Sequence, residues 1–134
     1  MSQVSARATY ADRIEAAGVV GAGGAGFPTH IKARGEADTV IANGVECEPV
    51  LGKDKAIMRA HPDDVVAGLA VMMRCVGACA GVIAIKRKNS REVDAMKAAA
   101  RAYANVTVAE VGDYYPAGDE HVLVYELTGR VVPA

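Results

Sequence analysis

Three apolar runs punctuate the chain: Thr39-Val-Ile-Ala42, Gly81-Val-Ile-Ala-Ile85 and Val106 to Val111. Short continuous runs of this kind, bounded by turn residues such as Asp38 and Asn43-Gly44, predict strands buried on both faces. Between and around them the apolar positions change to helical spacing. Lys53 to Arg59 reads as a short helix. A stronger one opens at His61-Pro-Asp-Asp64, with Val65, Val66, Leu69, Met72, Met73 and Val76 on one face and Gly77 at its end. Proline in the first turn and two carboxylates beside the positive helix end suit that start. Asn89 with Glu92 three residues on predicts a capping box for a helix through about Ala102. A last helix runs from Asp119 to about Leu127 and stops at Gly129. Upstream, Thr9 to Ala17 carries Tyr10, Ile14 and Ala17 on one stripe, and Pro28 to Ala33 leaves room for a short helix before Gly35. Alternation of strands with helices predicts an α/β fold, a three-layer arrangement of a mainly parallel sheet with flanking helices.

Composition narrows the picture. The 134 residues suffice for one domain. Half are apolar, yet one is Phe and none is Trp, so the core is aliphatic. A net charge of −1, with both signs interspersed, argues against nucleic acid as a partner. No apolar run reaches the roughly 18–20 residues of a membrane span, and the first residues lack a signal-peptide core, so a cytoplasmic protein without direct membrane insertion is expected. Cys47, Cys75 and Cys79 form neither a disulfide framework nor the C-x2-C run of a cluster site. Cys75 and Cys79, four apart on a predicted helix, read as small buried hydrophobes. No catalytic triad and no metal-ligand set stands out. The final Val131-Val-Pro-Ala134 reads as the start of another element, so residues 1–134 are expected to be the N-terminal part of a larger protein, with self-association through apolar surface left uncovered.

The chemistry sits in three segments. In Gly21-Ala-Gly-Gly-Ala-Gly-Phe-Pro-Thr29 almost nothing projects from the backbone, so a ligand can reach main-chain N–H groups directly. Lys32 supplies a cation close by. Gly21-x-Gly23-x-x-Gly26 matches the dinucleotide fingerprint literally, and Glu46 falls about twenty residues later. A Rossmann site, however, needs a full strand before the first glycine and a long helix after the last. Ala16-Ala-Gly-Val-Val20 is too short for the one, and Gly35 cuts off the other. A purely structural loop and a loop contacting phosphate or flavin in another way are the remaining readings. The second segment, Asn43-Gly-Val-Glu-Cys-Glu-Pro49, leaves the first strand at the end where open α/β sheets place ligands. Its Glu46 and Glu48 are hydrogen-bond acceptors for a flavin ring, a ribose or a nicotinamide amide, or else part of a solvated acidic turn. The third, Tyr115-Pro-Ala-Gly-Asp-Glu120, precedes the last helix, where Asp119 and Glu120 suit simple capping as well as ligand contact. Convergence of the three over one sheet edge is the expectation.

On these segments, in this order and spacing, the chain from about Ile14 onward resembles the flavin-binding domain of the complex I 51-kDa subunit, also found in the C subunit of the Rnf electron-transport complex. Within the family it looks most like the cobalamin reductases of propanediol-utilisation microcompartments. The resemblance implies a Rossmann-like FMN/NADH-binding domain. Gly21, Gly23, Gly24, Lys32, Asn43, Glu46, Gly118 and Asp119 would contact FMN. Phe27 would stack on the adenine of NADH, the substrate, and Glu48 and Glu120 would lie near the nicotinamide. It implies no catalytic side chain, because the flavin carries the redox chemistry. Hydride would pass from NADH to FMN and electrons to iron–sulfur clusters on absent segments, in an NADH-dependent oxidoreductase that is inactive as this fragment. The partners implied are a corrinoid-dependent enzyme or redox-complex subunits, and the place a microcompartment interior. Ala22 and Val45 replace an Arg and an Asp of the complex I pattern, which favours the Rnf and cobalamin-reductase branch, and Asp119 replaces a Glu. The alternative function is a non-catalytic assembly module that docks through its first helix.

Overall fold

The computed structural model describes residues 3–47 and 51–133. In chain order the elements are α1 (Gln3–Ala16), α2 (Thr29–Ala33), β1 (Thr39–Gly44), α3 (Lys53–Ala60), α4 (Pro62–Val76), β2 (Ala80–Lys86), α5 (Ser90–Ala100), β3 (Val106–Val111) and α6 (Glu120–Thr128). The strands form one parallel sheet in the order β1-β2-β3, with Ile41 opposite Val82 and Val82 opposite Thr107. Two crossovers that advance in the same direction and share the hand expected of parallel βαβ units would put their helices on the same face. Accordingly Val66, Leu69 and Met73 of α4 and Val93, Met96 and Ala100 of α5 pack with Ile83, Ile85 and Val106. The alternate strand residues face the other way. There Val45, Ala84 and Val111 meet Ala117 and, from α6, Leu123, with Ile41 and Leu127 alongside. The three expected layers are present.

The first two helices lie apart from the sheet. Ala11, Tyr10 and Ile14 of α1 pack with Ala33 of α2 and with Cys75 and Val76 near the end of α4. Arg34 ties the pair together from just beyond α2, donating to Asp12 at 3.0 Å and also reaching Glu15. Of the stripe that could have offered α1 to a partner, Tyr10 and Ile14 are half-buried in this packing and Ala17 is exposed. No helix among the described residues is long and apolar enough to cross a membrane.

Some expectations need correction. The first helix begins six residues earlier than Thr9, at Gln3. Asn89 precedes α5 but makes no side-chain cap, and the Glu92 carboxylate turns instead to Arg59 of α3, 2.9 Å away, where it is buried. Cys75 is buried as expected, and burial pushes its thiol above the ordinary value. Cys79 is not buried: α4 ends at Val76, with Gly77 in the left-handed conformation at φ 77°, and Cys79 lies exposed in the following turn, its thiol near the Asp38 carbonyl.

Candidate functional site

Two of the three segments meet. The connection from β3 to α6 crosses the end of β2 to reach the exit of β1, and small residues, Ala84 and Ala117, both fully buried, let it pass closely. Gly118 is the junction. Its carbonyl accepts from Asn43 Nδ2 at 2.8 Å, and its N–H donates to the Cys47 thiol at 2.9 Å. Asn43 Oδ1 in turn accepts the Val45 N–H at 3.0 Å. Each amide group of Asn43 still has capacity for one further bond. Cys47, given no role of its own from the sequence, therefore works as an acceptor between loops. The Tyr115–Pro116 peptide in the same connection is cis, and the Tyr115 ring is 84% exposed.

Asp119 caps α6. Its Oδ1 accepts the N–H groups of His121 at 3.0 Å and Val122 at 3.2 Å, while Glu120 occupies the first helical position, exposed. Replacing Asp119 by Ala removes two donors' partner at a helix start and is expected to cost about 1 kcal/mol, read from the urea midpoint. An unchanged midpoint would show that water satisfies these amides equally well.

Glu46 is buried against α3. Gly52 precedes that helix and has no side chain to cap it. Glu46 Oε1 takes over the task, accepting the Asp54 N–H at 3.3 Å across the intervening residues. Among the described residues Oε2 has no hydrogen-bond partner, and Lys55 Nζ stands 3.9 Å away, near enough for attraction but too far to donate. The Asp54 carboxyl is held above its ordinary value of 3.8, first by burial and second by the Glu46 charge, against a smaller opposing pull from Lys53. A carboxyl that binds its proton more tightly when folded contributes stability at low pH and loses it as pH rises through the folded value. Asp54→Asn is therefore expected to flatten the pH dependence of the urea midpoint above 3.8, leaving the variant at least as stable as the parent at neutral pH. Equal slopes for the two proteins would contradict that. Asp54 and Lys55 were not singled out in the sequence. The signal was there in the uncapped Gly52-Lys-Asp-Lys55 start.

The glycine loop stands by itself. Val20 pairs antiparallel with Pro28, Gly21 N–H donates to the Phe27 carbonyl at 2.8 Å, and Thr29 N–H donates to the Val19 carbonyl at 3.2 Å. This stem, between α1 and α2, replaces the strand-to-helix turn of a Rossmann site. Residues 21–27 are all exposed. Gly24 and Gly26, at φ 105° and 61°, need glycine for their backbone conformation. Gly23 does not: its φ is ordinary, and a Cβ there would meet nothing within 4 Å. Lys32 reaches back so that its ammonium lies 5.3 Å from the centre of the Phe27 ring. Among the described residues, the backbone hydrogen bonds of this loop stay within its own stem, and none reaches residues 43–47 or 115–120. The structure thus joins the second and third segments and leaves the first unattached to them. Glu48, with Pro49, lies outside the described residues. No cluster of three or more potential metal ligands occurs among the described residues.

What these parts offer is a sheet edge with hydrogen-bonding capacity, and a bare cationic loop suited to an anion. Comparison with known proteins agrees with that combination. Residues 14–134 match the Nuo51 FMN-binding domain family. The cobalamin reductase PduS of Citrobacter freundii is 42% identical over 125 residues, 93% of this chain and 27% of its own length. The C subunit of the Na(+)-translocating ferredoxin:NAD(+) oxidoreductase complex of Acetobacterium woodii is 37% identical over 122 residues, 88% of this chain and 28% of its own. A chain of an NAD+-reducing [NiFe]-hydrogenase, solved in the air-oxidized state, superposes with a TM-score of 0.76 at 27% identity, over 92% of this chain and 24% of that one. The chain spans about a quarter of the length of the curated relatives it matches.

Proposed function

The chain belongs to the Nuo51 FMN-binding domain family, and from that premise we propose that it holds FMN as an electron-transfer domain fed by NADH. The observation that carries the reading is Gly23, a glycine that neither backbone conformation nor packing requires, in a loop whose residues 21–27 are all exposed. Glycine at such a place makes sense when something approaches the main chain from outside. The residues present fit the group: exposed amides and the Lys32 ammonium suit a phosphate, while the free oxygen of Glu46 and the spare capacity of Asn43 suit hydroxyl and ring N–H donors.

The chemistry supplied by bound FMN is acceptance of a hydride from NADH and release of its electrons one at a time. The side chains bind and orient. Gly21, Gly23, Gly24 and Lys32 take the phosphate end. Asn43, Glu46, Gly118 and Asp119 form the floor at the sheet edge, Gly118 through the bonds that fix the floor's shape. Phe27 would offer its ring to the adenine of NADH, and Glu48 and Glu120 would serve the nicotinamide end. In this reading iron–sulfur clusters carried outside this chain would take the electrons onward to a corrinoid, in the cytoplasm or in a microcompartment within it. The assembly-module alternative has less support, since Tyr10 and Ile14 of the α1 stripe are half-buried against α2 and α4, with Ala17 exposed.

Titration of the chain with FMN, followed by quenching of flavin fluorescence, tests the reading. Saturable quenching with a Kd below roughly 100 µM is expected, equivalent to at least about 5 kcal/mol of binding. A flavin signal that stays unquenched throughout removes the claim for this chain.

A further inference from the structure

Glu46 is buried in a way that ordinary folding does not call for. Its side chain is 7% exposed, one oxygen accepts a single long hydrogen bond, and the other accepts none. A carboxylate so covered is costly unless its charge is compensated and its lone pairs are filled. Compensation comes from Lys55, whose ammonium at 3.9 Å attracts Oε2 without occupying it. The second carboxyl at the site, Asp54, works against the charge rather than for it. Other charged groups at this edge of the sheet are engaged elsewhere: Lys86 and Lys88 with Asp113, and His121 with Asp119.

We propose that Lys55 is a positioning residue, acting through Glu46 to hold that carboxylate against the start of α3 with one oxygen reserved for a hydroxyl or N–H donor of the bound ligand. The proposal rests on the flavin reading above and adds to it a residue that touches no ligand. Helix α3 becomes part of the site: its second amide, that of Asp54, fixes one oxygen of Glu46, and the lysine one residue later fixes the charge and direction of the other. A lysine that donated directly to Oε2 would stabilise the fold equally well and close the subsite. The longer separation leaves Oε2, itself covered from solvent, without a donor.

The test is a double-substitution cycle in FMN affinity, with Lys55→Met, Glu46→Gln and the pair, and Lys55→Arg as the conservative variant. Each single change is expected to weaken FMN binding roughly tenfold, and the pair little more than either alone, because both remove the same contact. Lys55→Arg should recover affinity to within about threefold. Effects that multiply to about a hundredfold, or a neutral Lys55→Met, would overturn the proposal. A readout without flavin separates its failure from that of the flavin reading. In the apo chain, Lys55→Met should raise the exchange rate of the Asp54 amide at least about fivefold as Glu46 swings away. If the parent chain binds no FMN, the flavin reading fails and the ligand half of the proposal with it. The amide exchange then decides the positioning half, and an unchanged rate overturns it.

Discussion

Alanine at position 118 is expected to destabilise the domain by about 2–4 kcal/mol, through overpacking and the loss of two hydrogen bonds. A methyl group there would overlap the carbonyl oxygen of Val45 and come within 2.7 Å of the Cys47 sulfur. The first of these atoms belongs to backbone that leaves β1 directly, so it cannot rotate aside as a side chain does. Relief would require the crossing connection to lift off the sheet edge. That movement breaks the bonds from Asn43 to the Gly118 carbonyl and from the Gly118 N–H to Cys47, and it uncovers Ala117 and Ala84. Chemical denaturation of Gly118→Ala beside Cys47→Ala measures the difference. The cysteine variant removes one acceptor without adding volume and should cost only about 1 kcal/mol. If the two variants proved equally stable, the close approach would not be a constraint on the fold, and the joined loops would be less rigid than their geometry implies.

The same junction shows where the sequence stops being readable. Strands at Thr39, Gly81 and Val106 were legible because buried parallel strands are continuous apolar runs, and α4 because proline, carboxylates and glycine mark its ends. The position of the second and third segments at one sheet edge followed from the general location of ligand loops in α/β sheets. What joins them did not. Gly118 lies 71 residues from Cys47 and 75 from Asn43, and no local pattern announces so distant a pairing. Glu92 failed as a capping residue for a similar reason: a local motif offered it the Asn89 amide, while tertiary packing offered it Arg59. The strong charge-assisted partner displaced the weak local one. Glu46 was recognised as a candidate from its place after β1, yet its second role, capping a helix that has only Gly52 to precede it, appears only once α3 is docked. Asymmetry of this kind is general, since periodicity encodes which face is buried and says nothing of which polar atoms find one another.

Gly23→Ala is the substitution that separates a ligand loop from a structural one. In the folded chain a Cβ at Gly23 meets no atom within 4 Å, and the residue is not in the left-handed region. Its stability should therefore stay within about 0.5 kcal/mol of the parent, or rise slightly, because alanine restricts the unfolded chain. FMN affinity, in contrast, should fall about tenfold or more, since a methyl group would hold the phosphate or ring away from the exposed amides. Gly24→Ala gives the necessary contrast. At φ 105° an alanine is strained whatever the space around it, at a cost of about 1–3 kcal/mol, so lost binding there could reflect a distorted loop. Only the Gly23 variant isolates close approach from backbone strain. Thermal melts with and without FMN report both quantities in one experiment, because a ligand at free concentration L that binds the folded state alone stabilises it by RT ln(1 + L/Kd) and raises the midpoint accordingly. An FMN-induced shift in Gly23→Ala equal to that of the parent would mean that nothing presses against the main chain at that point. The four glycines would then serve the turn between α1 and α2, and the phosphate would have to be sought at the sheet edge, where Glu46 and Asp119 make it unwelcome.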